Sequence, residues 1–230
     1  MFQLTEQYAA QVVTGLLPPG AEIARIDYPA SYPAVLAVDL DGDRNPEIVG
    51  VYRTAEGMRA LIAKHSLQGW YVFSHIRGPG YGIANLAAAP IAGVYPPSLL
   101  IGWQIGERWA QLDLFQFEAG EYRHLTPSDV FYSRLAIVPP APPVYGREAD
   151  AAADRLLRLA LWTHDREEAY RVELVRWQGD GLVRDEQAYP AYFANAVIPY
   201  YAGLLNVQPD SELYRACWEE ASRVAGAASS

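Results

Sequence analysis

The feature that most constrains this chain is a self-similarity with a period of 51 residues. Shifted by that amount, Ala37–Val49 falls on Ala88–Leu100 without a gap, with Gly42 over Gly93 and Pro46 over Pro97. Farther along, Tyr52 meets Trp103, Met58 meets Trp109, Leu61 meets Leu112, Gly69 meets Gly120, Tyr71 meets Tyr122 and Tyr81 meets Tyr132. A third, looser copy follows. There Leu159–Trp162 matches Leu100–Trp103 and, after one inserted residue, Tyr170–Trp177 matches Ala110–Phe117. A fixed period of this length marks one supersecondary unit used several times, because a single copy cannot bury its apolar surface alone.

Inside each copy the local pattern is that of strands. Apolar and polar residues alternate in Leu112–Phe117 and again in Val172–Trp177, and β-branched and aromatic residues are frequent. Turn residues separate the runs at Glu56-Gly57, Gln68-Gly69, Ala119-Gly120 and Gly179-Asp180-Gly181. Each copy predicts a short strand, a loop, a second strand, a hairpin, a third strand, a glycine-bearing turn and a fourth strand. A four-stranded antiparallel unit of roughly 40–50 residues is the size of a propeller blade. The expected fold is therefore mostly β, with about three propeller-like blades at 33–82, 83–133 and 134–188 inside a repeat domain 21–188.

The ends differ. Residues 1–20 predict a helix over Leu4–Leu16, stopped by Pro18-Pro19-Gly20. Residues 189–230 predict a helical hairpin and tail, with helices over Tyr192–Leu205 and Ser211–Ala225, and Asp210 or Ser211 as N-cap. That hairpin is expected to pack over the last blade and cover an open edge. Closed propellers usually have four to eight blades. Three leave two arrangements: an open array capped by helices, or a homodimer that completes one ring.

Charge and cysteine content narrow the partners. Lysine and arginine total 18 against 27 acids, a net charge of −9, which disfavours nucleic acid as a ligand. Lys64 is the only lysine among those 18. No apolar run approaches the roughly 20 residues that span a bilayer. The segment Met1–Gly15 lacks the basic start of a secretory leader. A lone cysteine, Cys217, excludes an internal disulfide and any multi-cysteine metal cluster.

One stretch carries chemistry: Asp39-Leu40-Asp41-Gly42-Asp43-Arg44-Asn45-Pro46-Glu47, between two predicted strands. Carboxylates alternate at positions 1, 3 and 5 and return at position 9. Calcium takes six to eight oxygens at about 2.3–2.6 Å, and a tight loop can supply them from alternate side chains and a carbonyl. Asp39, Asp41, Asp43 and Glu47 would give side-chain oxygens and Asn45 its backbone carbonyl. The other reading is an acidic turn whose Asp side chains accept from neighbouring backbone N–H groups. An EF-hand does not fit, because position 6 is Arg44 and position 12 is Gly50.

The loop with its flanking strands, about Val35–Tyr52, resembles the FG-GAP/VCBS repeat, the calcium-loop blade of integrin α-subunit propellers and of many bacterial surface proteins. The resemblance implies Ca²⁺ bound by Asp39, Asp41, Asp43 and Glu47. It also implies a non-catalytic, calcium-stabilised binding or scaffold protein at the cell surface or outside the cell, with a protein or glycan ligand. Arg44 departs from the pattern: glycine is common there because the backbone favours positive φ. The matching loop of the second copy, Pro90–Ser98, keeps a glycine and a proline and has no carboxylate, so the acids of the first copy exceed what the loop's path demands.

Other signals predict less. His65, His75, His124 and His164 show no ligand spacing, and Gly78–Gly82 lacks the Lys-Ser/Thr of a phosphate loop. Tyr52, Trp103 and Trp162 at repeat spacing predict packing between neighbouring blades. Trp70, Trp109 and the tyrosines of 189–201 could form a sugar-stacking surface. A carbohydrate-active hydrolase or lyase is the rival function, with Glu107, Asp113, Glu118, Asp165, Glu167 and Glu173 as acids by type and no pair singled out by spacing. A cytosolic structural module without metal is the third.

Overall fold

Thr5 opens the first helix, α1 (Glu6–Leu16): its hydroxyl accepts the Tyr8 N–H at 3.2 Å, and Glu6 sits at the positive end of the helix dipole. Leu17 returns to extended backbone ahead of Pro18-Pro19, which cannot continue the helix. This is a computed structural model, and it describes residues 5–27, 30–126, 129–140 and 155–226.

After three two-residue strands, β1 (Glu22–Ile23), β2 (Arg25–Ile26) and β3 (Tyr32–Pro33), come three antiparallel meanders. The first is β4 (Val35–Val38), β5 (Glu47–Thr54), β6 (Gly57–Ser66) and β7 (Gly69–Arg77), with β1 also paired to β5. The second is β8 (Gly82–Ala89), β9 (Ser98–Gln104), β10 (Ala110–Glu118) and β11 (Glu121–His124), with β12 (Phe131–Tyr132) paired to β10. The third is β13 (Arg134–Val138), β14 (Arg158–His164), β15 (Tyr170–Gln178) and β16 (Gly181–Arg184). The chain is thus mostly β and built of antiparallel sheets; among the described residues they close into no barrel. It divides into two compact units, residues 1–133 with 179–181, and residues 134–178 with 182–230.

The ladders define which residues of the three sheets are equivalent. Ile48 lies opposite Ala63, Leu99 opposite Phe115 and Leu159 opposite Val175. In each sheet the third strand then ends three residues later, at Ser66, Glu118 and Gln178. The shift between the first two copies is therefore 51 on the second strand and 52 on the third and fourth, because the connection from Gln104 to Ala110 is one residue longer than that from Arg53 to Met58. Met58 corresponds to Ala110 rather than Trp109, and Leu61 to Asp113 rather than Leu112. Lys64 corresponds to Gln116. Trp162 corresponds to Gly102, not to Trp103. A one-residue slip on a strand moves a side chain to the opposite face, so Trp162 is not the counterpart of Tyr52 and Trp103. Of those two, Trp103 packs against the first sheet as expected between blades, whereas Tyr52 packs under α1.

In the first unit, α1 covers one face of the first sheet. Ala9 and Val13, one turn apart, pack on Ile48, Tyr52, Leu61 and Ala63. The approach is close: a Cβ on Gly50 would lie 2.5 Å from Cγ1 of Val13. The opposite face, with Val49, Val51, Ala60 and Ile62, shares a core with Leu99, Ile101, Trp103 and Phe115 of the second sheet. Each such fully buried aliphatic side chain contributes roughly 1.5–3 kcal/mol through removal of apolar surface from water.

In the second unit, the third sheet packs through Ala160, Trp162, Val172 and Leu174 against the C-terminal helices. Those four residues alternate along β14 and β15, so the helices cover a sheet face, where the sequence predicted an edge. The helical segment begins with α2 (Tyr189–Tyr192), passes through a π turn at Phe193–Val197 and continues as α3 (Ile198–Val207). The π turn ends at Val197, and Pro199, which has no N–H to give, follows in the first turn of α3. Ser211 caps α4 (Glu212–Gly226) by accepting the Tyr214 N–H at 3.3 Å. Among the described residues no helix is long and apolar enough to cross a membrane.

Candidate metal centre

The acidic loop joins β4 to β5 and belongs wholly to the first unit. Oxygen atoms of Asp39, Asp41 and Asp43 lie within 4.8 Å of one another, the only such acidic, histidine or cysteine group among the described residues. Glu47 is not part of that trio. It lies at the start of β5, is 2% exposed, and its Oε2 accepts the Leu40 N–H at 2.7 Å. Asn45 is exposed, and its N–H donates to Oδ1 of Asp43 at 2.6 Å. Of the five expected ligands, three side chains converge, one carboxylate is buried beneath them, and one residue lies at the rim.

The loop's path follows from its side chains. Asp39 spans it, accepting from Gly42 N–H at 2.7 Å and Arg44 N–H at 2.9 Å, and Asp41 accepts from Asp43 N–H at 3.0 Å. These are the Asx turns of the second sequence reading. Gly42 and Arg44 both take positive φ, 84° and 70°. For arginine this left-handed conformation is strained, so the departure noted in the sequence is borne by the backbone.

Burial raises the pKa of Asp39, but donors from Tyr95, Gly42 and Arg44 outweigh it and hold the carboxyl below its usual value. Glu47 goes the other way. Burial pushes it up to about 7, opposed by the Leu40 N–H and Lys64 and reinforced by Asp41 and Asp43.

Three neighbours complete the site, and none was singled out by the sequence. The Tyr95 hydroxyl, from the second copy's loop, donates to Oδ2 of Asp39. The Lys64 ammonium bonds Oδ2 of Asp41 and lies 4.2 Å from the Phe73 ring centre and 4.7 Å from that of Phe117. The Tyr122 hydroxyl is buried with no hydrogen-bond partner, in electrostatic reach of Glu47 and the three aspartates. The lone lysine in an arginine-rich chain was the one available signal for Lys64.

These residues fit a hard divalent cation. Two ligands of one calcium ion lie at most about 5 Å apart, a condition that the 4.8 Å spread satisfies. All the donors are oxygens. An orphaned hydroxyl beside the acids is a further oxygen in search of a partner.

The second copy provides the comparison. At the ladder position of Glu47, which pairs with Val38, stands Ser98, which pairs with Ala89. Ser98 donates to Oε1 of Gln116 at 2.7 Å and accepts from Ala92 N–H at 3.0 Å, while Gln116 Nε2 donates to the Pro96 carbonyl at 2.7 Å. A neutral serine–glutamine pair holds there what carboxylates and a lysine hold in the first copy.

The rival function finds less. The second unit has a cavity of about 430 Å³ lined by Tyr170, Phe193, Tyr201, Leu213 and Cys217, with Asp165 and Glu220 among its acids. Those two acids pair with Arg166 and Arg223, their own chain neighbours. Neither known protein-family models nor functionally characterised proteins give a match to this chain.

Proposed function

We propose that this chain is a non-catalytic, calcium-stabilised binding or scaffold protein built from FG-GAP/VCBS-like propeller blades. The observation that carries the reading is the convergence of Asp39, Asp41 and Asp43 within 4.8 Å on a strand-to-strand loop whose counterpart, at Pro90–Ser98, joins the equivalent strands with no acid. Three carboxylates so close repel one another, and a divalent ion removes that cost. The repeated strand order and hairpin spacing of the three sheets support the blade reading. The place of action is the cell surface or the exterior, where calcium modules work at affinities of about 10⁻⁴–10⁻³ M. The ion rigidifies the loop end of the first unit, and the partner that this end presents itself to is a protein or a glycan.

Thermal unfolding in chelator and in millimolar Ca²⁺ tests the reading, with metal content measured by mass spectrometry. Millimolar Ca²⁺ is about 1–10 times such a Kd and stabilises by about 0.4–1.4 kcal/mol, so calcium is expected to raise the melting temperature by a few degrees. Identical melting in both conditions, with no bound calcium by mass spectrometry, contradicts it.

A further inference from the structure

We propose that Lys64 is the resident cation of the acidic loop, and that its ammonium and a divalent ion are alternative partners of Asp41. The inference rests on the cation reading of the loop and adds to it an internal competitor that sets its affinity.

Four observations converge on this residue. The Lys64 and Asp41 side chains are 16% and 7% exposed, so the pair is shielded from solvent. The ammonium lies over Phe73 and Phe117 at 4.2 and 4.7 Å, which holds the side chain in one pose. Lysine occurs once, whereas arginine supplies every other fixed cation of the chain. A compact point charge fits between two rings and one carboxylate oxygen, where a planar guanidinium with five donors does not. Lastly, the equivalent position in the acid-free copy is Gln116, which is neutral and bonds the Pro96 carbonyl and Ser98. Between the first and second copies the positive charge and the acids disappear together; the third copy has Arg176 at the equivalent place.

The consequence is physical. An ammonium on Asp41 neutralises one unit of the negative charge that attracts a metal and ties up one of its oxygens. The loop stays ordered without metal, and metal binding must release Lys64 from Asp41. Removing the lysine charge therefore strengthens metal binding, on the order of tenfold, given the Coulomb energies of charges a few ångströms apart.

The experiment uses the full chain and Ca²⁺ itself as probe. Lys64→Gln installs the residue that the second copy tolerates at the same place. Calorimetric titration of chelator-treated wild type and Lys64→Gln is expected to show binding to both, tighter in the variant by about tenfold. Equal or weaker binding by the variant, with wild type still binding, overturns the competition and leaves the calcium site standing. Binding by neither overturns the site and the competition together. Should the variant not fold, the wild type carries the test alone. As the only lysine, Lys64 gives a single side-chain signal in protein grown on lysine labelled with ¹³C at Cε. That signal, displaced by the ring currents of Phe73 and Phe117, is expected to move toward the free-lysine position with the same half-saturation as the calorimetric heat. A signal that stays still while calcium binds overturns the proposal.

Discussion

The hydroxyl of Tyr95, in the loop before β9, donates to Oδ2 of Asp39 in the loop before β5, 56 positions earlier. The acid-free loop of the second copy thereby reaches across to the acidic loop of the first. Its ring also rests on Gly42, where an added Cβ would lie 3.3 Å from Cε1 of Tyr95. Asp39 is depressed in pKa by this hydroxyl together with the backbone N–H groups of Gly42, Arg44 and Asp41, against the opposing effect of burial. A carboxylate of that kind stabilises the fold above its unfolded pKa, and the contribution is lost as pH falls through the lower folded value. Tyr95→Phe is expected to move the titration of Asp39 upward toward the ordinary carboxylate range, read from its ¹³C carboxyl shift in chelator. An unchanged titration shows that the contact is idle in solution.

Glu47 has the opposite linkage. Its folded pKa is raised to about 7, mainly by burial. The folded state prefers the neutral acid, so stability from this group is fully present below the unfolded value and is lost as pH rises through about 7. In chelator, Glu47→Gln is expected to match wild type near pH 5 and to exceed it near pH 8, by at most on the order of 3 kcal/mol. Urea unfolding at the two pH values checks this. A variant less stable than wild type at pH 8 shows that the carboxylate is tolerated ionised.

Arg44 carries strain: it is exposed and holds φ at 70°, and its N–H bond to Asp39 is one that glycine keeps. Arg44→Gly is expected to stabilise the first unit by about 1 kcal/mol, the cost of a left-handed non-glycine residue less the extra chain entropy of glycine. Arg44→Ala retains the strain and should leave stability unchanged. A gain from alanine equal to that from glycine would place the effect in the side chain.

Gly50 tests the packing of α1. Gly50→Ala drives a methyl into Val13, 2.5 Å from its Cγ1, and is expected to cost about 1–3 kcal/mol by overpacking. Adding Val13→Ala should recover part of that loss, because the two residues share one contact. Additive losses in the double variant would mean that α1 does not sit on this face.

The sequence reveals the repeat through Gly42 over Gly93 and Pro46 over Pro97, although of the two glycines only Gly42 takes the positive φ that favours glycine. It misleads beyond the first hairpin. There Trp109 and Leu112 offer apolar partners one step from the true equivalents, and a loop longer by one residue is invisible until the ladders are seen. The same slip hid the correspondence of Lys64 with Gln116. The aspartates are legible because their alternation is local. Tyr95, Lys64 and Tyr122 are not, since each reaches the loop from another strand or from the other copy, and no spacing along the chain encodes that.

The account stands on the acidic loop holding a divalent ion, and calorimetry of chelator-treated protein tests that most directly. Titration with Ca²⁺ to millimolar concentration is expected to give a saturable heat near one equivalent, abolished in Asp39→Asn/Asp43→Asn. No saturable heat from folded wild-type protein, or the same heat from the double variant, contradicts the account.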